Sequence, residues 1–269
     1  MTRQQPPPVL QPWIQSLWAS PAGRAAAPRE HVLPSGCIHL AIRLDATPLR
    51  LYDTAEDLVG VVISDAVVGG VRSHYYLKDT SQPSRSVGAL LRPGAAQALF
   101  GCSADELAER HIPLDLLWKT GDLSRLRERL QAADDPTTQL SLLAQALAAQ
   151  LRPARALHPQ VAQALQGMMR EQRIAQLVSN AHASHRHFIA LFREATGLAP
   201  KRYARVMRLQ RLLRDLHRAP SWADAALAAG YSDQAHFIRE FRAFAGMTPQ
   251  AYRRSAPATS HHVPVARPR

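Results

Sequence analysis

His187-Phe188-Ile189-Ala190-Leu191-Phe192-Arg193-Glu194-Ala195-Thr196-Gly197, with Pro200, Tyr203 and Arg205 behind it, is written a second time. It returns as His236-Phe237-Ile238-Arg239-Glu240-Phe241-Arg242-Ala243-Phe244-Ala245-Gly246, with Pro249, Tyr252 and Arg254 behind it. Nine positions coincide at a constant offset of 49 residues, and no insertion is needed. A repeat in fixed register is one supersecondary unit used twice. Each copy carries an apolar pattern of helical period, a Gly where a helix ends and a Pro where the next can begin.

Working outward, the spacing predicts two short helices around a tight turn in each copy. In the first, Arg173–Ser179 precedes a turn at Asn180-Ala181-His182, and Ser184 caps a helix to Ala195. In the second, Ser221 caps Trp222–Ala229, Gly230-Tyr231-Ser232 turns, and Asp233–Phe244 forms the second helix. This is the helix-turn-helix plan, whose second helix enters the major groove. Between the copies, Lys201–His217 predicts a long linking helix. Its arginines at 202, 205, 208, 211 and 214 recur every third residue and therefore spiral round the axis instead of sharing one face. Some are placed for phosphates; others shield Val206, Leu209, Leu213 and Leu216 with their stems.

Charge follows the repeat. The chain is formally +12, but residues 1–157 hold 16 Lys/Arg against 15 Asp/Glu, whereas residues 158–269 hold 17 against 6. Positive charge concentrated on one compact unit is the footprint of a polyanion partner.

The residues Gly230-Tyr231-Ser232-Asp233-Gln234-Ala235-His236-Phe237-Ile238-Arg239-Glu240-Phe241-Arg242, then Gly246-Met247-Thr248-Pro249 and Tyr252-Arg253-Arg254, resemble the second helix-turn-helix of AraC/XylS-type transcriptional regulators. The resemblance implies a bipartite DNA-binding domain with two recognition helices on successive major-groove segments of double-stranded DNA. Carried over by position, base-reading residues fall on Arg186, Ile189 and Ala190, and on Gln234, His236, Ile238 and Arg239. Arg186 and Arg239 have the chemistry to grip guanine, Gln234 adenine, and the small apolar residues a thymine methyl. Arg193, Lys201, Arg205, Arg242 and Arg254 are the phosphate candidates. Phe188, Phe192, Phe237 and Phe241 are expected in the core. The first copy departs from the family at Val178 and His182, so the second copy is expected to be the more stringent reader. Leu33-Pro34-Ser35-Gly36-Cys37 and Arg92-Pro93-Gly94-Ala95 resemble, less specifically, a sensor-like domain fused to such regulators. A small-molecule effector, RNA polymerase as a partner, and monomer or homodimer all stay open on this reading.

The expected fold class is α+β. Residues 1–157 form a β-rich sensor-like or dimerisation domain with trailing helices, of which 1–30 is a loose arm. Residues 158–254 form an all-α domain of two helix-turn-helix units joined by a long helix, and 255–269 a disordered basic tail. Five or six strands are expected between His31 and Arg92, notably Cys37–Leu44, Leu58–Ile63 and Val67–Leu77. Helices are expected at Ala95–Phe100, Ala104–Arg110, Leu123–Ala133 and Thr137–Leu151, and Arg152-Pro153 with His158-Pro159 marks the boundary.

With 269 residues, 46% of them hydrophobic, the chain is long enough for two domains and a sizeable core. Neither a signal-peptide core nor a membrane-spanning run is present in the sequence, and a cytoplasmic protein with no membrane association is expected. Cys37 and Cys102 make neither a disulfide framework nor a zinc site. His185 and His187, two apart on a helix, point to different sides, so no metal site is expected. With no phosphate loop, nucleophile elbow or carboxylate pair, no catalytic residue and no cofactor is assigned. The competing reading is a small-molecule-binding protein or enzyme with a non-specific nucleic-acid anchor.

Overall fold

His39-Leu40-Ala41-Ile42-Arg43 alternates, and the alternation divides the N-terminal half into layers. In a strand, successive side chains point to opposite faces. Leu40 and Ile42 are fully buried, whereas His39, Ala41 and Arg43 keep some accessible surface. The computed structural model describes residues 1–23, 27–45, 47–169, 185–216, 221–255, 257 and 259–265. Among these the strands are β1 (Thr2–Gln4), β2 (Ile14–Ser20), β3 (Arg29–Val32), β4 (His39–Arg43), β5 (Arg50–Tyr52), β6 (Val61–Val62), β7 (Ala66–Gly69), β8 (Tyr76–Asp79), β9 (Ser86–Leu91), β10 (His111–Pro113) and β11 (His262–Pro264). The helices are α1 (Ala95–Phe100), α2 (Ala104–Leu107), α3 (Thr120–Ala132), α4 (Pro136–Ala149), α5 (Pro159–Met169), α6 (His185–Thr196), α7 (Pro200–Asp215), α8 (Trp222–Ala228), α9 (Gln234–Ala245) and α10 (Pro249–Ser255).

One sheet runs β1-β2-β9-β4-β7-β10 and the other β11-β3-β8-β5-β6, with every pairing antiparallel. Register carries the alternation of β4 across the first sheet. Leu17, Ala89, Leu40 and Val68 stand side by side, all fully buried, on the face that packs against the leucines of α3 and α4. The next row, Ser16, Leu90, His39, Gly69 and His111, points the other way, into the space between the sheets. That inner face is polar. His111 meets the edge of Tyr76 from the second sheet, ring centroids 4.6 Å apart, and Arg72 lies over the same Tyr76 ring at 4.8 Å. Gly69 is required here, because a Cβ on it would come within 2.1 Å of the His39 ring.

The expected layering of a β-rich half and a helical half is present, with more strands than expected. Several expectations are corrected. Residues 1–30, expected as a loose arm with one short segment around Trp13–Trp18 packed on the body, are bound more closely than that: β2 is hydrogen-bonded along β9 inside the six-stranded sheet. A register shift between Ile14 and Ser16 hides its period-two pattern from the sequence. Leu58–Ile63 is not one strand, since only Val61–Val62 pairs and Leu58 is 86% exposed; Val67–Leu77 divides into β7 and β8. The tail after Ser255 is not disordered where it is described. Val263 is fully buried and β11 adds to the edge of β3. Ala104–Arg110 shortens to α2, with Glu106 accepting from the Ser103 amide at 2.8 Å as its capping pattern predicts.

The helical half rests on the sheets. The Gly94 amide donates to Ala195 O at the end of α6 (2.8 Å), and Gln210 of α7 donates to Pro34 O (2.5 Å). Gly36 faces Met207 so closely that a Cβ would stand 3.0 Å from its sulfur. The two glycine turns singled out in sequence therefore form the seat of the helical half. Both have positive φ, 75° and 85°, a conformation that glycine adopts without strain.

Two substitutions on one strand test the division of faces. Leu40→Ala is expected to cost about 2–5 kcal/mol through the cavity it leaves. His39→Ala, one residue away on the polar face, is expected to cost much less; urea unfolding of both compares them. Equal losses would contradict the two-faced sheet.

Candidate nucleic-acid interface

In both copies of the repeat the shared Phe, Pro and Tyr positions are interior. Phe188, Phe192, Phe237 and Phe241 are buried to within 1% of complete, and Tyr203 and Tyr252 are buried beside them. In the second unit Trp222 joins this cluster, with ring centroids 5.6 Å from Phe237 and 5.5 Å from Phe241. Gly197 and Gly246 end α6 and α9 in the left-handed region, each donating its amide to the carbonyl four residues back, Arg193 O at 2.7 Å and Arg242 O at 2.9 Å.

Ser221 is the cap expected of it, and Asp233, expected as the first helical residue, is itself the cap of α9. Ser221 accepts from the Asp224 amide (3.1 Å), and Asp233 accepts from the His236 amide (2.7 Å). The amide bond from His236, with help from Ser232, holds the Asp233 carboxyl below its ordinary range. The first helix of the first unit, with Val178, His182 and the Ser184 cap, lies outside the described residues.

What remains on the outside is where the copies differ. Arg186 and Ala235 occupy equivalent positions, as do Ala190 and Arg239, and all four are exposed. Gln234, Arg193, Lys201, Arg242 and Arg254 are exposed as well. Ile189 and Ile238 are half-buried, and Ile238 packs against the core edge. Gln234, Ile238 and Arg242, one helical turn apart, line an open cleft against α10, joined by Thr248, Gln250 and Arg253. Those last three were missed because each stands alone in sequence; their convergence comes from α10 folding back on α9.

The linking-helix arginines separate as their spiral requires. Arg205 donates from Nε to Glu240 Oε2 at 3.0 Å, and its guanidinium lies 5.4 Å from the centroid of the Phe244 ring. Arg208 lies over Tyr231 at 5.2 Å, Arg211 reaches Met168 O of α5 at 3.4 Å, and Arg214 pairs with Asp215 at 3.0 Å. Arg205, read as a phosphate ligand, is thus engaged in joining α7 to α9. Glu240 is the hidden partner: its side chain is only 4% exposed, and it also lies 3.5 Å from His236 Nε2. His236, expected to read a base, is half-buried between Glu240 and Tyr231.

Elsewhere, burial pushes the Cys37 thiol up to about 11 and raises that of Cys102, so neither is a ready thiolate. Among the described residues no three His, Cys, Asp or Glu side chains gather as a metal site, and no helix is long and apolar enough to cross a membrane.

A family model covers the same helix-turn-helix residues. Residues 177–255 match the family "Helix-turn-helix domain", and residues 2–113 match "Domain of unknown function (DUF6597)". No curated protein sequence matches the chain. Among solved structures, it is similar to a ligand-free variant of ToxT from Vibrio cholerae strain SCE256, at 13% identity over 88% of this chain and 96% of that one, with a TM-score of 0.48. It is similar also to ToxT from Vibrio cholerae O395 bound to (E)-4-(8-methylnaphthalen-1-yl)but-3-enoic acid, at 10% identity over 88% and 97%, TM-score 0.48. The C-terminal part is a helix-turn-helix DNA-binding domain. Its type is AraC, and the match is confined to residues 177–255.

Glu240→Gln removes the charge that Arg205 answers inside the domain. Because Arg205 is 42% exposed, the expected loss is reduced by solvent screening to about 1–2 kcal/mol. Urea unfolding measures it; unchanged stability would show the pair to be idle.

Proposed function

We propose that this regulator is sequence-specific, with α6 and α9 entering successive major-groove segments on one face of a duplex. The supporting observation is the sorting of the repeat: the identical Phe, Pro and Tyr positions are inside, and differing residues, Arg186 against Ala235 and Ala190 against Arg239, are outside beside the shared exposed Arg193 and Arg242. Two copies that kept a scaffold and diverged at the surface are what two different half-sites require. On this reading residues 158–254 read DNA in the cytoplasm, and residues 1–157 sense or dimerise. Arg186, Gln234 and Arg239 read base edges, with Ile189, Ala190 and Ile238 offering apolar contact. Arg193, Lys201, Arg242 and Arg254 bind phosphates.

Selection of bound duplexes from a random pool, followed by sequencing, tests the reading. It should return a site of roughly two turns, about 20 base pairs. Arg239→Ala is expected to relax one base position at a cost of about 1–3 kcal/mol, whereas Arg242→Ala weakens all sequences alike. Weak binding erased by salt, with no preferred sequence, would favour the non-specific anchor.

The inter-sheet space is the candidate effector site, and its chemistry favours an anion. Arg43 Nε, Arg72 Nε and His111 Nε2 are buried there without a partner. The nearby carboxylates have other partners: Glu30 has Lys78 and His262, both at 2.7 Å, Asp79 has Tyr52 at 2.6 Å and Ser81, and Glu109, which acts on Arg72 from a distance, has Ser73 at 2.6 Å and His74 at 3.3 Å. Burial, and then the positive charges of His262, Lys78 and Arg72, push His39 down to about 4; burial likewise holds His111 well below its ordinary value. A carboxylate or phosphate would meet the unpaired donors and relieve this repulsion. Titrating acetate and inorganic phosphate while following the histidine ring resonances should shift His39 and His111, and Arg72→Met should abolish the shift. Rings that ignore both anions would remove the site.

A further inference from the structure

The segment that follows the DNA-reading domain goes back to the sensor domain. β11 pairs with β3 in register, Val263 opposite His31, and flanking amide bonds extend the ladder: Leu33 N to His261 O and Val265 N to Arg29 O, both 2.9 Å. Val263 is fully buried. Side chains tie the same segment to three further places. His262 Nδ1 lies 2.7 Å from Glu30 Oε1, the oxygen that also holds Lys78. His261 Nε2 lies 2.6 Å from Gln210 Oε1, and Gln210 in turn donates to Pro34 O, so the linking helix is bridged to both the tail and the β3–β4 turn. Tyr252 of α10 donates to Ser260 O at 2.9 Å.

The strand that receives the tail also holds the second reading helix. His31 Nδ1 lies 2.8 Å from Ala245 O, the last residue of α9. The His31 ring stacks on Tyr75, centroids 4.7 Å apart and 8° from parallel. Tyr75 in turn lies against Gly246, where a Cβ would come within 2.4 Å of its ring. The end of α9 is therefore held by the His31 side chain of β3, and β3 is paired, on the edge away from β8, by residues that leave α10.

We propose that residues 259–265 are a positioning strap, which closes the sensor domain over the second helix-turn-helix unit and sets the placement of α9 relative to α6. The first unit has its own anchors, the Gly94–Ala195 bond and Gly197 packed against Val71 and Ala104. The strap thus acts on the second unit selectively. A reading helix held in place before binding loses less freedom on the duplex than one that must be ordered there. The role in DNA binding rests on the sequence-specific reading proposed above; the role in holding α9 does not.

The test uses the full chain and the duplex recovered by selection. Val263→Asp places a charge in the buried strap position and should remove exchange protection from the Leu33 and Val265 amides. Protection of the Gly246 amide, at the end of α9, should fall with it. Affinity for the second half-site should drop about tenfold by footprinting, with the first half-site unchanged. Val263→Ile should restore protection and affinity together. Tyr252→Phe, which removes only the hydroxyl that holds Ser260 of the strap, should move the second half-site the same way by about threefold, and it decides the matter if Val263→Asp fails to fold. Lost strap protection with undiminished second-half affinity would overturn the positioning role. If selection returns no site, the DNA reading fails on its own, and the Gly246 amide alone decides whether the strap holds α9.

Discussion

The register of β4 is the constraint on which the N-terminal architecture depends. Leu40 and Ile42 belong to the core beneath α3 and α4, and His39 and Arg43 belong to the polar space between the sheets. A slip of one residue would exchange the two sets, placing a histidine and an arginine among leucines. The buried apolar row excludes the slip, and Gly69 completes the observed register, leaving room for the His39 ring where a Cβ would come within 2.1 Å of it. The hydrophobic core thus lies on the outside of the sheet pair, against helices. The interior is left for side chains with unpaired nitrogens.

The helical half was largely legible in sequence because its signals are local. Caps at Ser221 and Asp233, glycine stops at Gly197 and Gly246 and the phenylalanine spacing each act within a few residues. The repeat then supplied the pairing of units. What stayed hidden was non-local. Glu240 sits on an amphipathic helix beside Arg239 and Arg242 and reads as one more surface charge; only the approach of α7 turns it into the buried partner of Arg205. β2 was missed because a bulge breaks its alternation, and β11 because three residues carry no periodicity of their own.

The arginines make the same point about composition. A net charge segregated to one domain identifies a polyanion surface without telling which cations face it. Of the linking-helix series, Arg205 and Arg208 turn toward the second unit, Arg211 toward α5, and Arg214 toward its own neighbour. The excess charge is therefore partly structural. Among the described residues, the exposed cations at 186, 193, 201, 202, 239, 242, 253 and 254 are not drawn into such ties, apart from the long Arg193–Asp105 approach at 3.9 Å.

The pairing of β11 with β3 has a consequence for how the chain is made. His262 and Glu30, in contact at 2.7 Å, are 232 positions apart. A ribosome adds roughly 5–20 residues each second, so a nascent sensor domain emerges and collapses well before its edge partner exists. During that interval β3 presents an unpaired edge, a liability for pairing with other chains. The DNA-reading domain must be synthesised first, because it precedes in sequence the strand that closes the gap. Completion of the earlier domain is thereby postponed until the later one is in place, and exposure of that edge marks a chain whose synthesis is unfinished.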